Sequence, residues 1–444
     1  TFLNNEIRGG SYGMYWYGQN TTTLEEGTVI DGNLFTRQYF YGIRAWYHDD
    51  MKFRNNVFSS LSTYTGTSYG FYFYYCDNEF EVTGNRIEAL NQVPRHGLYF
   101  VNCDGTATQQ GVIANNTVHV GTPTSSSSHY GIYVSNTGYQ NIYNNSVALE
   151  GTGTFSRSLY IVSGGANKVY NNIFAHFGSG YAAYLNNSFA VTEMDNNNLY
   201  TNGNNLGFFS GNQASLADWQ SASGFDLDGQ SVDPLFYNYQ TNDLHVCNDT
   251  LDGTGKVNTL ITEDFEGQAR NAGAPDIGAD EFTSLGNYSI GNDPTVLCQG
   301  DSIQLSGALG AQNIWTTTTI DTADFIWVNT TGQVSVSVTN NCGTVDDTVM
   351  VMTNIPVDLP TDTNLCFGTS GSLMAYITNV TYNWTGGLTT QSITVSTAGL
   401  YVVDVVDSNG CQSPDSTVVT VSQAVDPPRD TTFCQGSHTT PDAG

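Results

Sequence analysis

Basic residues are scarce in this sequence of 444 residues, because 12 lysines and arginines stand against 41 aspartates and glutamates and give a formal net charge of −29. Such a charge repels nucleic acid and anionic membranes, so we expect no nucleic-acid partner. Only 12% of the residues are charged, which excludes a highly charged disordered chain. No apolar run approaches the roughly 20 residues of a membrane-spanning helix, so no transmembrane segment is expected.

Other signals are missing as well. No targeting peptide opens the chain, and Thr1-Phe2-Leu3-Asn4-Asn5 already has the form of a repeat unit. The residues near Cys434 have the form of the start of another module, so we expect part of a longer polypeptide. The sequence has no Cys/His spacing typical of a metal site, no phosphate-binding loop and no nucleophile elbow. No cofactor is therefore predicted with certainty.

What the sequence does contain is an internal repeat with the pattern apolar, any residue, Asn or Gly, Asn, any residue, apolar. The second Asn of each copy recurs at intervals of 23 to 31 residues. These eight residues are Asn5, Asn33, Asn56, Asn85, Asn116, Asn145, Asn172 and Asn197. Asn and Gly tolerate a left-handed bend, and stacked Asn side chains can bond to each other from coil to coil.

A second motif alternates with the first, as in Gly42-Ile43-Arg44-Ala45 and Gly97-Leu98-Tyr99-Phe100. Its second and fourth positions are mostly apolar and should face inward, so its third position should face outward. Two short strands and a bend in each repeat predict an all-β fold, a right-handed parallel β-helix (a solenoid) of about 28 residues per coil. The chain here resembles the parallel β-helix repeat family, whose enzymes include pectate lyases and polygalacturonases.

Four further motifs follow the repeats, and the most specific is Pro275-Asp276-Ile277-Gly278-Ala279-Asp280-Glu281-Phe282. Together with Asp233–Phe236, Asn242–Val246 and Asp264–Arg270 it resembles the closing segment of "choice-of-anchor" β-helix proteins on bacterial surfaces. The resemblance implies that the β-helix domain covers residues 1–283 and that this segment caps the final coil.

After Pro294 the repeat ends and two similar modules follow, which we place at residues 294–355 and 356–424, with the start of a truncated third module at 425–444. Cys298 and Cys342 are 44 residues apart, and Cys366 and Cys411 are 45 apart. A tryptophan lies between the two cysteines of each pair, which suits tandem Ig-like β-sandwiches. We therefore predict the disulfides Cys298–Cys342 and Cys366–Cys411 and an oxidising compartment.

The run from Tyr382 to Cys411 resembles repeats of Bacteroidota surface adhesins, including gliding adhesins. The resemblance implies type IX secretion and a place at the cell surface. Asp-Ser/Thr-x triplets look like the O-glycosylation sequon of that group, which would make this a glycoprotein modified at Thr250, Ser302 and Thr348.

The outward positions of the second motif form a candidate binding surface. They are Tyr15, Arg44, Tyr72, Tyr99, Tyr133, Tyr160 and Tyr184, and two positions further on come Tyr17, Trp46 and Tyr74. Sugar rings stack their C–H faces on aromatic rings, so surface glycans or other extracellular proteins are the predicted partners. The alternative is that these tyrosines only stabilise the sheet through contacts between strands.

The turn after this sheet should stack Asp49, Asp77 and Asp104 on successive coils. Three interpretations stay open for them: ordinary turn formers, a Ca²⁺ site, or the carboxylates of a polysaccharide lyase or glycoside hydrolase. The Asn-Thr-Asp and Arg-Ile-Lys signatures of polygalacturonases are missing, and lysine is scarce for a lyase base. The favoured function is therefore a non-catalytic extracellular adhesin, and the enzyme is the alternative.

Cys76 and Cys103 are one coil apart and should also stack. Parallel strands would place their Cα atoms near 4.8 Å apart, within the range that a disulfide accepts. Either a bond or a buried pair of free thiols is compatible with this spacing.

Overall fold

The computed structural model describes residues 1–423 except 61–62, 64–65, 90–94, 287, 309–310, 318, 341 and 355. The chain forms two compact units. The first comprises Thr1–Tyr288 with the short segments Ala308–Gln312 and Val338–Val345, and the second contains the rest of the described chain. Cys434 and the proposed third module lie outside the described residues.

The first unit is a parallel β-solenoid whose coils add one strand each to three sheets. Sheet 1 contains Phe2–Leu3, Val29–Asp31, Lys52–Arg54, Glu81–Thr83, Gly111–Ala114, Gln140–Tyr143, Asn167–Tyr170 and Val191–Asp195. Sheet 2 contains Glu6–Arg8, Leu34–Gln38, Val57–Ser60, Arg86–Ala89, Thr117–Val120, Ser146–Leu149, Ile173–His176 and Asn198–Thr201. Sheet 3 contains Tyr12–Tyr17, Tyr41–Asp49, Ser68–Asp77, Arg95–Val101, Tyr130–Ser135, Arg157–Ile161, Tyr181–Leu185, Gly207–Phe209 and the short strands Glu25–Glu26 and Asn212–Gln213. The predicted solenoid is confirmed.

The eight predicted asparagines form one continuous ladder, here called the Asn ladder. Each donates from its side-chain amide to the Oδ1 atom of the next member, over 2.8–3.1 Å. Its backbone N–H donates to the same oxygen. From Asn33 onward every member is almost fully buried. The predicted register is therefore correct.

The residue before each ladder member makes the bend between sheets 1 and 2. Asn55, Asn115 and Asn144 have φ values of 53°, 54° and 50°, and Gly32 and Gly84 take the same left-handed conformation. The two positions of the Asn-Asn motif thus have different roles, because the first turns the chain and the second forms the ladder. Asn and Gly are the residues that adopt this conformation at least cost.

The ladder continues for one step that was not predicted. Asn197 donates its side-chain amide to Asp226 Oδ1 over 2.7 Å, and the indole N–H of Trp219 donates to Asp226 Oδ2 over 2.9 Å. Trp219 is on the helix Leu216–Ser223, which begins with a capping box at Ser215 and Asp218. This helix and the fully buried Trp219 therefore cover the last coil.

The segment after residue 230 runs back along the solenoid instead of capping its final coil, contrary to the expectation above. Phe236, Leu244, Val246 and Ile277 share a core with sheet 2 residues such as Ile173. Two 3₁₀ turns, Tyr239–Thr241 and Asp249–Leu251, lie within it. It packs here because the outer sides of Ala148, Ile173 and Ala175 are apolar and would otherwise be exposed.

The bend asparagines hold this segment in place. Asn144 and Asn171 donate to the carbonyl oxygens of Gly278 and Lys256, and Asn171 accepts from the Lys256 N–H. Arg270 binds Asn115 and also forms a buried ion pair of 3.1 Å with Glu281. In this unit the role of the motif residues is therefore structural. Asp264–Arg270 and Pro275–Phe282 attach the closing segment to the solenoid.

The C-terminal region is all β. One group of strands comprises Thr295–Leu297, Ile303–Ser306, Gln312–Thr316, Ile320–Asp321, Phe325–Val328, Gly332–Asn340 and Gly343–Thr353. The other comprises Thr363–Leu365, Gly371–Met374, Val380–Trp384, Ser392–Val395, Gly399–Asp407 and Gln412–Val421. In the second group, Trp384 and Val403 of a four-stranded sheet share one core with Leu373 and Ile393 of a two-stranded sheet. The domain boundaries at 283, 294, 355 and 424 stay predictions.

The predicted disulfide pairing is wrong. Cys298 is bonded to Cys411, and Cys342 is bonded to Cys247, within the first unit. Cys366 is exposed and is bonded to none of the described cysteines. Equal spacing along the sequence does not decide which cysteines meet, and the Cα atoms of Cys298 and Cys411 lie 5.2 Å apart although 113 residues separate them.

Cys76 and Cys103 are free and fully buried. Both are in the core of the solenoid, and the Cys76 side chain is a direct neighbour that helps burial to raise the pKa of the Cys103 thiol. Of the two outcomes left open by the sequence, the structure has the buried pair of thiols.

Candidate functional site

The outer side of sheet 3 carries the predicted aromatic column. Its strands pair in register, so Tyr72 is opposite Arg44 on one side and Tyr99 on the other. The full column is Tyr15, Arg44, Tyr72, Tyr99, Tyr133, Tyr160, Tyr184 and Phe208. The predicted neighbouring column of Tyr17, Trp46 and Tyr74 is likewise in register. The structure thus places every one of these residues on one face.

A further column was missed. It lies one residue before the small first residue of each motif and consists of Tyr12, Tyr41, Tyr69, His96, Tyr130, Arg157 and Tyr181. We call the three columns together the aromatic face.

The reason for this column is a local break in strand alternation. A Cβ atom on Gly42 would lie 2.5 Å from the Phe58 ring, so Gly42 faces the core, as does the next residue, Ile43. Two successive inward positions turn the preceding residue, Tyr41, to the outside. In the sequence this column is marked by an aromatic or basic residue before the small first residue of each motif. Strict alternation would place that residue inside, which is wrong.

The rings of the aromatic face pack against each other along the solenoid. Tyr99 and Tyr133 stack with centroids 4.0 Å apart, and Tyr41 and Tyr69 stack at 4.8 Å. Burial raises the pKa of Tyr72 to about 12, so its hydroxyl stays protonated at neutral pH. Tyr15 and Tyr17 are 49% and 51% exposed. Tyr41 and His96 are 7% exposed each, and most other rings are intermediate. The arrangement is a partly exposed aromatic surface, which can stack on sugar rings or pack against a protein.

The predicted aspartates also form a column, at the turn after sheet 3. Asp77 Oδ1 accepts from the Asp104 N–H over 2.9 Å, Asp104 Oδ1 accepts from the Gly138 N–H over 2.8 Å, and Asp49 accepts from the Asn78 amide. Each carboxylate therefore binds the next coil, which is the expected behaviour of a turn former. Burial raises the pKa of Asp77 to about 6 and also raises the pKa of Asp104.

A groove of about 550 Å³ beside this turn is lined by Asp104, Asn136, Tyr139 and Ser163 among others, and Asp104 is its one carboxylate. The three aspartates thus do not converge on the groove. Within the described ranges, no group of three or more His, Cys, Asp or Glu side chains is placed to hold a metal ion. The Ca²⁺ and catalytic interpretations gain no geometric support from these contacts.

A buried serine and histidine lie close together in the segment that connects sheet 2 to sheet 3. Ser125 Oγ is 2.7 Å from His129 Nε2, and His129 Nδ1 accepts from the Arg95 N–H over 3.2 Å. Because Nδ1 is an acceptor, the neutral ring carries its proton on Nε2 and donates it to Ser125. Burial lowers the pKa of His129 to about 4. The ring is therefore in the wrong tautomer to take a proton from Ser125 as a general base.

The predicted glycosylation residues Thr250, Ser302 and Thr348 are all exposed. Their modification stays a prediction. In the part of the chain that is described, no helix is both long and apolar enough to cross a membrane.

Comparison with protein families identifies a match to the family described as "Right handed beta helix region", over residues 1–174. No curated protein matches the sequence. Several solved structures of Ig domains are similar to part of the chain. The N-terminal four Ig domains of Dscam1 isoform 1.9 are 12% identical, with a TM-score of 0.20, over 32% of this chain and 45% of that one. The chain therefore spans less than half of that fragment.

Two other solved structures give similar values. DIP-gamma IG1+IG2 is 9% identical, with a TM-score of 0.22, over 32% of this chain and 98% of that one. Drosophila OTK, extracellular domains 3–5, is 13% identical, with a TM-score of 0.20, over 32% of this chain and 63% of that one.

Proposed function

We propose that this chain belongs to a non-catalytic extracellular adhesin or structural surface protein, whose β-helix binds glycans or partner proteins through the aromatic face. One observation carries the proposal: three columns of aromatic side chains stand on the outer side of sheet 3. The closing segment packs on sheet 2 and covers apolar residues there. The exposed rings Tyr15 and Tyr17 remain available for contact.

The rest of the molecule fits an extracellular setting. Two disulfides are present, and such bonds persist in oxidising compartments. The strongly acidic composition keeps a surface protein soluble and away from anionic membranes. In this proposal the C-terminal Ig-like modules are a stalk, and the resemblance to Bacteroidota adhesins supports a place at a bacterial surface after type IX secretion.

The test is binding of the full chain to a glycan array and to extracellular proteins. We expect Tyr72→Ala combined with Tyr99→Ala to abolish binding while the far-UV circular dichroism spectrum is unchanged. The matched control is Phe189→Ala combined with Tyr237→Ala, which removes two exposed aromatic residues away from this face. Binding that survives the first pair of substitutions would contradict the proposal.

A second candidate function is a polysaccharide lyase or glycoside hydrolase that uses Asp49, Asp77 and Asp104. The observation in its favour is the raised pKa of Asp77, about 6, which lies in the range of a general acid. Assays for reducing ends and unsaturated products on a polysaccharide panel test it. Activity that Asp77→Asn abolishes would favour the enzyme over the adhesin.

A further inference from the structure

Two arginines interrupt the aromatic face. Arg44 lies in register between Tyr15 and Tyr72, and Arg157 lies between Tyr130 and Tyr181. They are two of only 12 basic residues in the whole chain. Their position on the aromatic face therefore calls for a physical explanation.

Arg44 is held against aromatic rings. Its guanidinium carbon is 4.1 Å from the centroid of the Trp46 ring, 5.2 Å from Tyr15 and 5.5 Å from Tyr41. Such cation–π contacts use the flat side of the guanidinium. They leave its edge, where the N–H groups form a fork, free to bind a planar anion.

Neither arginine has an acidic partner among the residues that the structure describes. Elsewhere in the same unit basic side chains do pair, as in Arg54–Glu81, Lys168–Glu193 and Arg270–Glu281. The Nε atoms of Arg44 and Arg157 are both buried and lack a hydrogen-bond partner in this part of the chain. Because these Nε atoms are buried, a ligand can reach the guanidinium only through its terminal N–H groups.

Arg157 is the more enclosed of the two, with 8% of its surface exposed. Its guanidinium carbon lies 3.9 Å and 4.1 Å from the rings of Tyr184 and Tyr160. Arg44 is only partly buried, and the exposed Tyr15 lies beside it. Arg44 is therefore the group that a ligand can reach.

We propose that the aromatic face binds an acidic glycan, and that the N–H edge of Arg44 pairs with a carboxylate or sulfate group of this glycan. This inference rests on the proposed function, because it assumes that the face binds glycans. The sugar rings would stack on the exposed rings of Tyr15 and Tyr17, and the acidic group would form a charge-assisted, bidentate contact with Arg44. A net charge of −29 disfavours general adsorption of polyanions. An acidic glycan therefore needs a local basic site, which Arg44 provides.

Calorimetric titration of the full chain with two matched pairs of polymers tests the proposal. The pairs are dextran sulfate with dextran, and alginate with its propylene glycol ester, so that the members of a pair differ in charge. We expect the acidic member of at least one pair to bind tenfold or more tightly than its neutral counterpart, as one charge-assisted contact allows. Arg44→Gln should remove this preference. Arg44→Lys should keep only part of it, because lysine has the charge but not the fork.

The matched control is Arg8→Gln, which removes the same charge from an exposed position on sheet 2. It should leave the preference unchanged. If Arg8→Gln and Arg44→Gln lose the preference for the acidic polymer equally, the effect is one of general charge and the proposal is overturned. If Arg44→Gln does not fold, Arg44→Lys decides, and an unchanged preference in that variant also overturns the proposal.

Two further outcomes separate this inference from the proposed function. Equal binding of acidic and neutral polymers, lost in the Tyr72 and Tyr99 variant, would overturn the acidic ligand and leave the aromatic face as the binding surface. Failure of all four polymers to bind would also overturn the inference, and the array experiment above would then decide the proposed function alone.

Discussion

The Asn ladder and the aromatic face are both columns with one residue per coil, but their side chains are in opposite environments. The interior ladder members are buried, and their side-chain amides bind the neighbouring coils. The aromatic face is partly exposed, and its two arginines have buried Nε atoms without a partner among the described residues. One repeat can therefore join its coils through one buried column and leave another column partly exposed.

The largest expected effect is at the middle of the ladder. Asn116→Ala removes the oxygen that accepts from both the backbone and the side chain of Asn85. Since each buried group left without a partner costs roughly 1–3 kcal/mol, we expect a loss of about 3–5 kcal/mol in the free energy of unfolding. Urea denaturation followed by circular dichroism measures it.

Asn5→Ala is the control for this prediction. Asn5 is the first rung, is only partly buried, and in the described chain its side-chain oxygen accepts no hydrogen bond. Its loss should cost less than about 1.5 kcal/mol. Equal costs for the two variants would show that the ladder does not act as a buried network.

The next effect concerns the aromatic face, where we expect substitutions to reduce binding more than they reduce the stability of the fold. Tyr72→Ala with Tyr99→Ala removes many more atoms than Asn116→Ala. Because both rings are only partly buried, and their removal leaves no buried polar group without a partner, we expect a smaller loss in the free energy of unfolding than for Asn116→Ala. A loss larger than that of Asn116→Ala would show that the aromatic face mainly stabilises the fold.

The end of the ladder should respond to pH. Burial raises the pKa of Asp226 to about 7 and outweighs the hydrogen bonds from Asn197 and Trp219. The folded state therefore binds this proton more tightly than the unfolded state, so the contribution to stability rises as the pH falls from about 7 towards 4. The slope is on the order of 1 kcal/mol per pH unit.

Asp226→Asn should remove this component. Urea denaturation of both proteins at pH 5.5 and pH 8 measures it, because the contributions of all other groups cancel in the difference between the two. Parallel profiles for the two proteins would contradict a titrating Asp226.

The smallest effect concerns the two buried cysteines of the solenoid core, which should be as inaccessible to reagents as the Asn ladder is to solvent. Cys76 and Cys103 are fully buried, and burial raises the pKa of the Cys103 thiol. An alkylating reagent should therefore modify the exposed Cys366 in the folded protein and the other two only after unfolding. Peptide mapping identifies the modified residues, and early labelling of Cys103 would show that this part of the core opens.

Much of the solenoid was predictable because the sequence repeats once per coil. The eight ladder asparagines and the columns of Tyr72 and Trp46 follow from counting residues between repeats. The column of Tyr41 and Tyr69 was not predicted, because Gly42 and Gly70 face inward and reverse the alternation before them.

Two other features could not be read from local patterns. Asp226 takes the place of an asparagine in the last rung, and Trp219 is bound to it from a helix. The disulfides join cysteines 95 and 113 residues apart, and spacing alone does not reveal which chain segments approach each other. Likewise, the path of the closing segment depends on the apolar outer side of sheet 2, which periodicity does not predict.

The most direct test of the comparison measures stability and glycan-array binding for the same two variants. We expect Asn116→Ala to lose more of the free energy of unfolding and still to bind at temperatures where it is folded. We expect Tyr72→Ala with Tyr99→Ala to keep most of its stability and to lose binding. The reverse result, with binding lost in the folded Asn116 variant and kept in the tyrosine variant, would contradict the assignment of stability to the ladder and recognition to the aromatic face.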